Sequence, residues 1–422
     1  MALQDIRPDA MRCTRCSYCK WIPFDLVKSW RFSKGCPSVD FNNFHSYSGG
    51  GRLVTALSLM DGRSEVNDRV VDIAFKCQLC GNCDVACKVC RYDMWVLDSL
   101  HEFRFWLAEQ DQVPAAYRPM IENLRQKHNL GGRPQADRAK WAEGLDLKDI
   151  AKGKAEVLFH AGCRYSYNPR LQHVARTAAQ VLTKAGVDFA VSAEEHCCGG
   201  KAYDMGYKKD FQAAAEGNLN AWAAAGVKTV VTPCATCYHA FKRLYPEVGS
   251  EVEVLHTVEL VDRLIKDGKL KLIKPVPMKV TYHDPCHLGR QGEPYVPWEG
   301  EEKKIYGQAV VYDPPRPRYI GAYGVYDPPR EVLAAIPGLE LVEMERNREA
   351  AWCCGAGGGV REAYPEFSAW TAGERVEEAK ATGADAIATA CPGCEQNFID
   401  AVAADGTKMK VFDVVELVAQ AL

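Results

Sequence analysis

A charge excess of either sign is missing: Lys and Arg number 52 against 55 Asp and Glu, a net charge of −3 with histidine neutral. The chain thus has no basic surplus to neutralise phosphates, and nucleic acid is not an expected partner. Long apolar runs are missing too. The longest uncharged stretch, Thr229 to Phe241, is too short to span a bilayer and contains Pro233. The first residues, Met-Ala-Leu-Gln-Asp-Ile-Arg, lack the apolar core of a secretory signal, so the expectation is a cytoplasmic protein with no direct membrane span. Compositional bias is absent as well: 47% hydrophobic and 25% charged residues match globular averages and exclude disorder, collagen and coiled coil for the chain as a whole. A length of 422 residues implies roughly three domains.

What the chain does have is cysteine, nineteen of them. That density is below a disulfide scaffold and above an ordinary cytosolic enzyme. The odd count and the tight Cys-x2-Cys spacings point away from disulfides and toward sulfurs converging on metal. Nine lie between Cys13 and Cys90 and ten between Cys163 and Cys394. The stretch between them carries Gly131-Gly132, Pro134 and many charges without apolar period, which reads as a linker. The expected division is a first domain over 1–128, a linker over 129–154, a second domain over 155–275 and a third over 276–422.

The two later domains are copies of one another. Phe159-His160-Ala161-Gly162-Cys163 answers Tyr282-His283-Asp284-Pro285-Cys286; Cys197-Cys198-Gly199 answers Cys353-Cys354-Gly355; Cys234-Ala-Thr-Cys237 answers Cys391-Pro-Gly-Cys394. The second copy carries an insertion of about thirty residues near 291–322. It is stiffened by Pro294, Pro297, Pro314, Pro315 and Pro317, and Tyr295, Trp298, Tyr306, Tyr312 and Tyr319 offer contact area, so it is expected to cover the cysteine loops or dock another subunit. Strands are expected at 157–159, 187–191, 227–232, 280–282, 339–344 and 387–389, and helices at 170–185, 210–225, 331–336 and 367–382. This alternation implies parallel sheets with crossover helices, and cysteines that follow strands sit at the carboxyl edge where open α/β folds hold ligands. The N-terminal part reads as helical, with a stripe of Val66, Val70, Ile73 and Ala74 and an amphipathic helix over 94–110.

Cys77-Gln-Leu-Cys80-Gly-Asn-Cys83-Asp-Val-Ala-Cys87 is a Cys-x2-Cys-x2-Cys-x3-Cys run, in which three thiolates wrap one cubane and the fourth ligates its neighbour. An earlier triplet, Cys13, Cys16 and Cys19, is followed at a stretched spacing by Cys36-Pro37. The two runs resemble a two-cluster bacterial-type ferredoxin domain. The resemblance implies Cys13, Cys16, Cys19 and Cys87 around one cubane [4Fe–4S] cluster and Cys77, Cys80, Cys83 and Cys36 around a second, with Cys90 competing as a ligand. Zinc is the alternative metal, because Cys-x2-Cys pairs also build tetrahedral zinc sites. Trp21, Trp30 and Phe32 in the spacer read as a small apolar lid over a cluster.

Each later copy has the form Cys, Cys-Cys-Gly, Cys-x2-Cys, which is similar to the cysteine-rich CCG domains of heterodisulfide reductase. With the ferredoxin-like domain in front, the order resembles the D-type subunit family of that reductase, and related iron–sulfur subunits serve glycolate oxidase and anaerobic glycerol-3-phosphate dehydrogenase. The resemblance implies an α+β protein: a mostly helical two-[4Fe–4S] ferredoxin-like domain, then two tandem α/β CCG domains with small parallel sheets. It implies one non-cubane [4Fe–4S] cluster on Cys163, Cys197, Cys198, Cys234 and Cys237 and another on Cys286, Cys353, Cys354, Cys391 and Cys394. The implied function is an electron-transfer subunit of a multi-subunit oxidoreductase complex, linking a flavin- or quinone-linked partner, a flavoprotein by expectation, to the CCG clusters. The alternative is a catalytic heterodisulfide reductase subunit.

Glycines 355, 357, 358 and 359 invite a phosphate-cradling reading, but closing backbone on a cluster accounts for them and no dinucleotide-type acidic residue follows. His160, His196, His283 and His287 flank the cysteines and either tune cluster potential, relay protons or bond within the loops. Lys201, Arg290 and Arg361 are candidates to offset anionic clusters. Anaerobically purified protein is expected to be brown, with roughly four Fe per cluster over four clusters by metal analysis; stoichiometric zinc with little iron would overturn both redox readings.

Overall fold

The structure is a computed structural model that describes residues 3–90, 94–294, 296, 298–306, 309–316 and 321–422, with the side chains of 89, 90, 309 and 310 outside the description. Strands β1 (Lys148–Asp149), β2 (Val157–Phe159), β3 (Ala190–Val191), β4 (Thr229–Thr232) and β5 (Glu253–His256) form a parallel sheet in the order β1-β3-β2-β4-β5. Strands β6 (Met278–Tyr282), β9 (Leu339–Val342), β10 (Ala386–Thr389) and β11 (Lys410–Asp413) form a second, in the order β11-β10-β6-β9. Strands β7 (Glu301–Ile305) and β8 (Ala309–Asp313) make a separate antiparallel hairpin. The chain is α+β, and the run β3-β2-β4-β5 has the topology of β9-β6-β10-β11.

Short β-branched and alanine runs build these strands because both faces of a parallel sheet are covered. Leu158 and Val230 in one sheet and Val280 and Ile387 in the other are fully buried in a single core that both copies share. Helix Gln172–Lys184 buries Val174, Ala175, Ala178 and Leu182 and packs against helix Val414–Ala421 of the other copy, where His173 Nε2 meets Glu416 Oε1 at 2.8 Å. Two strands start later than the sequence pattern predicts. Gly186 and Gly226 adopt left-handed φ of 75° and 77°, and the N–H groups of Val187 and Val227 turn back to the carbonyls of Leu182 and Trp222 at 3.1 and 2.9 Å. Those valines close helix ends and are lost to the strands.

The repeat extends further than the cysteines. His256 and Asp413 end β5 and β11, and each begins a helix, Thr257–Lys266 and Val414–Ala421, through a capping box. Glu259 accepts from the His256 N–H at 2.8 Å, and Glu416 accepts from the Asp413 N–H at 2.8 Å.

Residues 129–154 do not form a free linker. Strand β1 pairs with β3, Trp141 and Ile150 are buried in the shared core, and Arg138 is 1% exposed. The apolar residues are too sparse for a period but each one is anchored. Within the insertion, Arg316 reaches Asp9 at 3.2 Å and lies over the rings of Tyr312 and Trp95, so this part of the segment packs on the N-terminal helices. Tyr295, Pro297, Pro317 and Tyr319 lie outside the described residues. The spacer aromatics form no common lid, because Trp30 is 80% exposed while Phe32 is buried beneath Arg346.

The N-terminal part is helical, and the amphipathic helix expected over 94–110 runs Val96–Glu109. Its Arg104 is fully buried and donates to five main-chain carbonyls: Ala74 at 3.1 Å, Phe75 at 3.2 Å, Cys77 at 2.6 Å, Asp204 at 2.8 Å and Gly358 at 2.9 Å. A guanidinium has five N–H donors, and here every one is used. Ala74 and Phe75 end helix Asp68–Phe75, whose negative C-terminal dipole favours a cation. Arg104→Met keeps the bulk and removes the donors; it is expected to cost on the order of 3 kcal/mol or more, read as earlier thermal unfolding and faster proteolysis between the domains.

Candidate functional site

In the N-terminal part, Cys13, Cys16 and Cys19 sit on a loop whose curl uses left-handed φ at Arg15 and Ser17, 59° and 68°. Cys87 comes from helix Asn82–Cys90 and lies in the electrostatic reach of Cys13 and Cys19. Cys36 stands just before helix Pro37–Asn42 and faces Cys77 and Cys80. Cys36, Cys77, Cys80 and Cys83 line one enclosed space. Burial pushes the Cys36 and Cys87 thiols up to about 12. The side chain of Cys90 lies outside the described residues.

Between the two groups stands the start of helix Gly49–Met60. The Gly50 N–H points at Cys19 Sγ, 3.5 Å away, and a Cβ on Gly50 would fall 3.1 Å from Cys13 Sγ. A Cβ on Gly49 would fall 2.9 Å from the Cys83 Cβ. The glycine run 49–51 is therefore a spacing requirement, and it aims the positive end of a twelve-residue helix between two sets of sulfurs. The next residue, Arg52, is 1% exposed and ties the loops that carry Cys36 and Cys77, with bonds to Ser38 Oγ at 2.8 Å and the Lys76 carbonyl at 2.7 Å.

In the later copies each cysteine group follows a strand, as the sheets require: Cys163 after β2, Cys197 and Cys198 after β3, Cys234 after β4, then Cys286, Cys353 with Cys354, and Cys391 after β6, β9 and β10. Their sulfurs contact one another in sequence: 163 with 197, 197 with 198, 198 with 237 and 237 with 234 in the first copy. In the second copy 286 meets 353, 353 meets 354, 354 meets 394 and 394 meets 391. Two contacts cross boundaries. Cys234 meets Cys391, joining the copies, and Cys80 meets Cys353, joining the N-terminal part to the second copy. Hydrogen bonds from Cys197 and Cys237 hold Cys198 down to about 6, and a bond from Cys353 does the same for Cys80.

A cavity of about 620 Å³ opens between the copies, lined by all five cysteines of the first and by Cys286, Cys354, Cys391 and Cys394 of the second. Lys201 lines it and pairs with Glu362; Arg164 lines it too. Behind Cys163, Arg138 donates to its sulfur at 3.2 Å and to Glu195 at 3.0 Å. Glu195 also accepts from the N–H groups of Ala161 and Gly162 at 2.9 and 3.0 Å, and against burial, Arg138 and these bonds keep it ionised below the usual carboxylate range. Arg290 donates to the carbonyls of Cys80 and Glu349, both at 2.9 Å, fastening the loops that bring Cys80 to Cys353. Arg361 serves elsewhere, bonded to Asn397 and to Asp400 at 2.7 Å.

The four histidines separate. His283 lies within 4.8 Å of Cys354 and Cys394 sulfurs and accepts from Arg375 at 3.1 Å. His287 lines the cavity, 3.1 Å from Thr236 Oγ1. His160 is buried beside Glu195, and His196 stacks on His128 with ring centroids 3.9 Å apart. Gly357 and Gly358 approach the N-terminal cysteine loop, where a Cβ would fall 2.5 Å from the Gln78 carbonyl and 2.4 Å from the Cys77 carbonyl. These contacts account for Gly357 and Gly358, while a Cβ on Gly355 would fall 2.4 Å from the Ser368 carbonyl and one on Gly359 2.5 Å from the Tyr117 hydroxyl. Thiols gathered in groups of four and five, mostly buried in the later copies, with the Gly50 and Gly355 amides and Arg138 turned toward sulfurs, are a donor set for iron–sulfur clusters.

The chain matches a 4Fe-4S dicluster domain over 9–90 and the CCG cysteine-rich domain over 157–242 and 317–399. It is 33% identical to the D-type subunit of the dihydromethanophenazine:CoB–CoM heterodisulfide reductase of Methanosarcina mazei, over 97% of this chain and 93% of that one. It is 32% identical to the "Probable iron-sulfur-binding oxidoreductase FadF" of Bacillus subtilis, over 95% of this chain and 53% of the other. It is 31% identical to the EtfAB:quinone oxidoreductase of Syntrophomonas wolfei, over 81% and 46% respectively. A solved structure of a hypothetical protein from Helicobacter pylori shares the fold, with a TM-score of 0.53 and 12% identity, over 89% of this chain and 67% of that one. Cys36→Ser is expected to remove one cubane signal from the electron paramagnetic resonance spectrum and Cys90→Ser to leave both; the reverse would reassign the ligand.

Proposed function

The chain belongs to the family of D-type heterodisulfide reductase subunits, which are iron–sulfur proteins, and on that premise we propose that it works as an electron-transfer subunit of a larger oxidoreductase complex. Its partners are protein subunits, with a flavoprotein as the donor or acceptor that meets the N-terminal part. Cys13, Cys16, Cys19 and Cys87 hold one cubane and Cys77, Cys80, Cys83 and Cys36 the other. Cys163, Cys197, Cys198, Cys234 and Cys237 hold one non-cubane cluster, and Cys286, Cys353, Cys354, Cys391 and Cys394 its counterpart. Such clusters supply one-electron storage at potentials set by charge, hydrogen bonding and burial.

The observation that carries this reading is the unbroken line of sulfurs, from the N-terminal loops through Cys80 and Cys353 into the second copy and through Cys391 and Cys234 into the first. The protein's own residues do three things along it. Gly49 and Gly50 let backbone approach the sulfurs and point amides at them; Arg138 and Arg290 place buried positive charge beside sulfur-bearing loops; the shared core excludes water. Among the described residues no helix is long and apolar enough to cross a membrane, so attachment to a quinone-linked partner would run through protein contacts.

A second reading has its own support. The cysteine groups of the two copies line one cavity and so face each other, which is the arrangement that disulfide cleavage at paired sites would require. The two readings part in one assay. With reduced viologen as donor, the full-length iron-loaded chain is expected to take up electrons rapidly but to turn over small disulfides poorly, while Cys353→Ala takes up electrons in its N-terminal part and passes few onward. Robust heterodisulfide turnover by the isolated chain would favour the catalytic reading, and full onward transfer in Cys353→Ala would overturn the proposed route.

A further inference from the structure

One wall of the inter-copy cavity separates it from a second, outer chamber of about 200 Å³, bounded by helix Val96–Glu109 and by residues near 239–247 and 290–293. His101 faces the outer chamber and Asp204 faces the inner cavity. They touch through the wall: His101 Nε2 and Asp204 Oδ1 are 3.2 Å apart, and the two side chains are 6% and 4% exposed. The pair joins helix Val96–Glu109 to helix Gly200–Asp204. Arg104 bonds the main-chain oxygen of Asp204 and leaves its carboxylate to the histidine.

Histidines surround the Asp204 carboxylate and favour its ionised form. Asp204 Oδ2 faces His287 Nε2 at 3.7 Å, and His239 stacks on His287. Tyr203 packs on the His101 ring, and Asp98 and Glu102 of the same helix, the latter paired with Lys208, line the outer chamber beside it, as do Asp84, Arg243, Glu247 and Glu293. No lysine or arginine forms a salt bridge with the Asp204 carboxylate among the described ion pairs; imidazoles alone hold it below the ordinary carboxylate range against the pull of burial.

We propose that the His101–Asp204 pair is a proton path from the outer chamber to the inter-copy cavity, so that electrons delivered there are met by protons. The path does not run through His287, because Asp204 itself lines the cavity. Each added electron makes the buried cavity more negative and raises the proton affinity of a carboxylate in its wall. His101 first takes a proton from the outer chamber on Nδ1, forming the imidazolium, then passes its Nε2 proton to Asp204 and returns to neutral imidazole. The proposal rests on the reading of the chain as an electron carrier and not on disulfide cleavage. Where a disulfide is the acceptor, the balance is one S–S bond broken, two S–H bonds formed, two electrons from the external donor and two protons by this path.

The test uses the full-length, iron-loaded chain reduced by stoichiometric reduced viologen in weakly buffered solution with a pH-indicating dye. Stopped flow reads electron uptake from the bleaching of visible absorption and proton uptake from the dye. Wild type is expected to take up protons with electrons. Asp204→Asn, which keeps the shape, and His101→Gln are expected to slow proton uptake at least about tenfold while bleaching keeps its rate, and imidazole should restore His101→Gly. Absence of proton uptake in wild type, or full-speed uptake in both variants, would overturn the proposal. Should Asp204→Asn fail to load iron, His101→Gln and the imidazole rescue of His101→Gly decide it alone. A small disulfide added afterwards reports on cleavage separately, and its survival would count against the catalytic reading without touching the proton path.

Discussion

The arrangement depends first on the five hydrogen bonds of Arg104. Its guanidinium gathers the end of helix Asp68–Phe75, the start of the Cys77 loop, the end of helix Gly200–Asp204 and the glycine turn at 358, which come from all three parts of the chain. A cation buried among carbonyls costs desolvation, and the geometry repays it only when every donor finds an acceptor, as here. Tyr117 adds a second donor to the Gly358 carbonyl at 3.2 Å. Loosening this point would shift Cys80 away from Cys353, where the N-terminal sulfurs meet those of the second copy.

Close approach is the theme of the rest. The sulfur groups are near one another because side chains are absent where loops meet: Gly49 and Gly50 at the N-terminal pair, Gly357 and Gly358 against Gln78 and Cys77, and Gly162 beside Cys237, where a Cβ would fall 3.0 Å from the sulfur. Charge is set by the same economy. Arg52, Arg138 and Arg290 are buried, and each bonds main chain or a carboxylate beside a cysteine, so positive charge is fixed near sulfur without a flexible surface side chain.

The repeat of cysteine spacings made the two later copies readable, and the strand-end position of the groups at Cys163, Cys234, Cys286 and Cys391 followed from the short runs that precede them closely. The fourth strand of each copy was not readable. Glu253-Val-Leu-His256 and Lys410-Val-Phe-Asp413 are four residues long and half polar, and the capping boxes that follow them were the available sign. Residues 129–154 look like a linker because Trp141 and Ile150 are isolated in sequence, and only the first sheet supplies the surface on which they are buried. Arg104, Arg138 and Asp204 were equally hidden, since their partners are 25 to 254 residues away and mostly main-chain atoms or a single carboxylate. The glycines at 355–359 drew the eye for phosphate binding, and nothing local distinguishes a glycine that meets a phosphate from one that meets a carbonyl.

The reach of Arg104 to Gly358 also bears on how the protein is made. During synthesis the N-terminal helices leave the ribosome well before residue 358 exists, and domains tend to fold in the order they emerge. For that interval Arg104 lacks one of its acceptors and Cys80 lacks its neighbour on the second copy. The Cys77 loop therefore reaches its final position only when the last third of the chain closes over it. The Cys77 loop is thus fastened by residues from both ends of the chain, and a polypeptide ended before residue 358 would lack one of the five acceptors that hold Arg104.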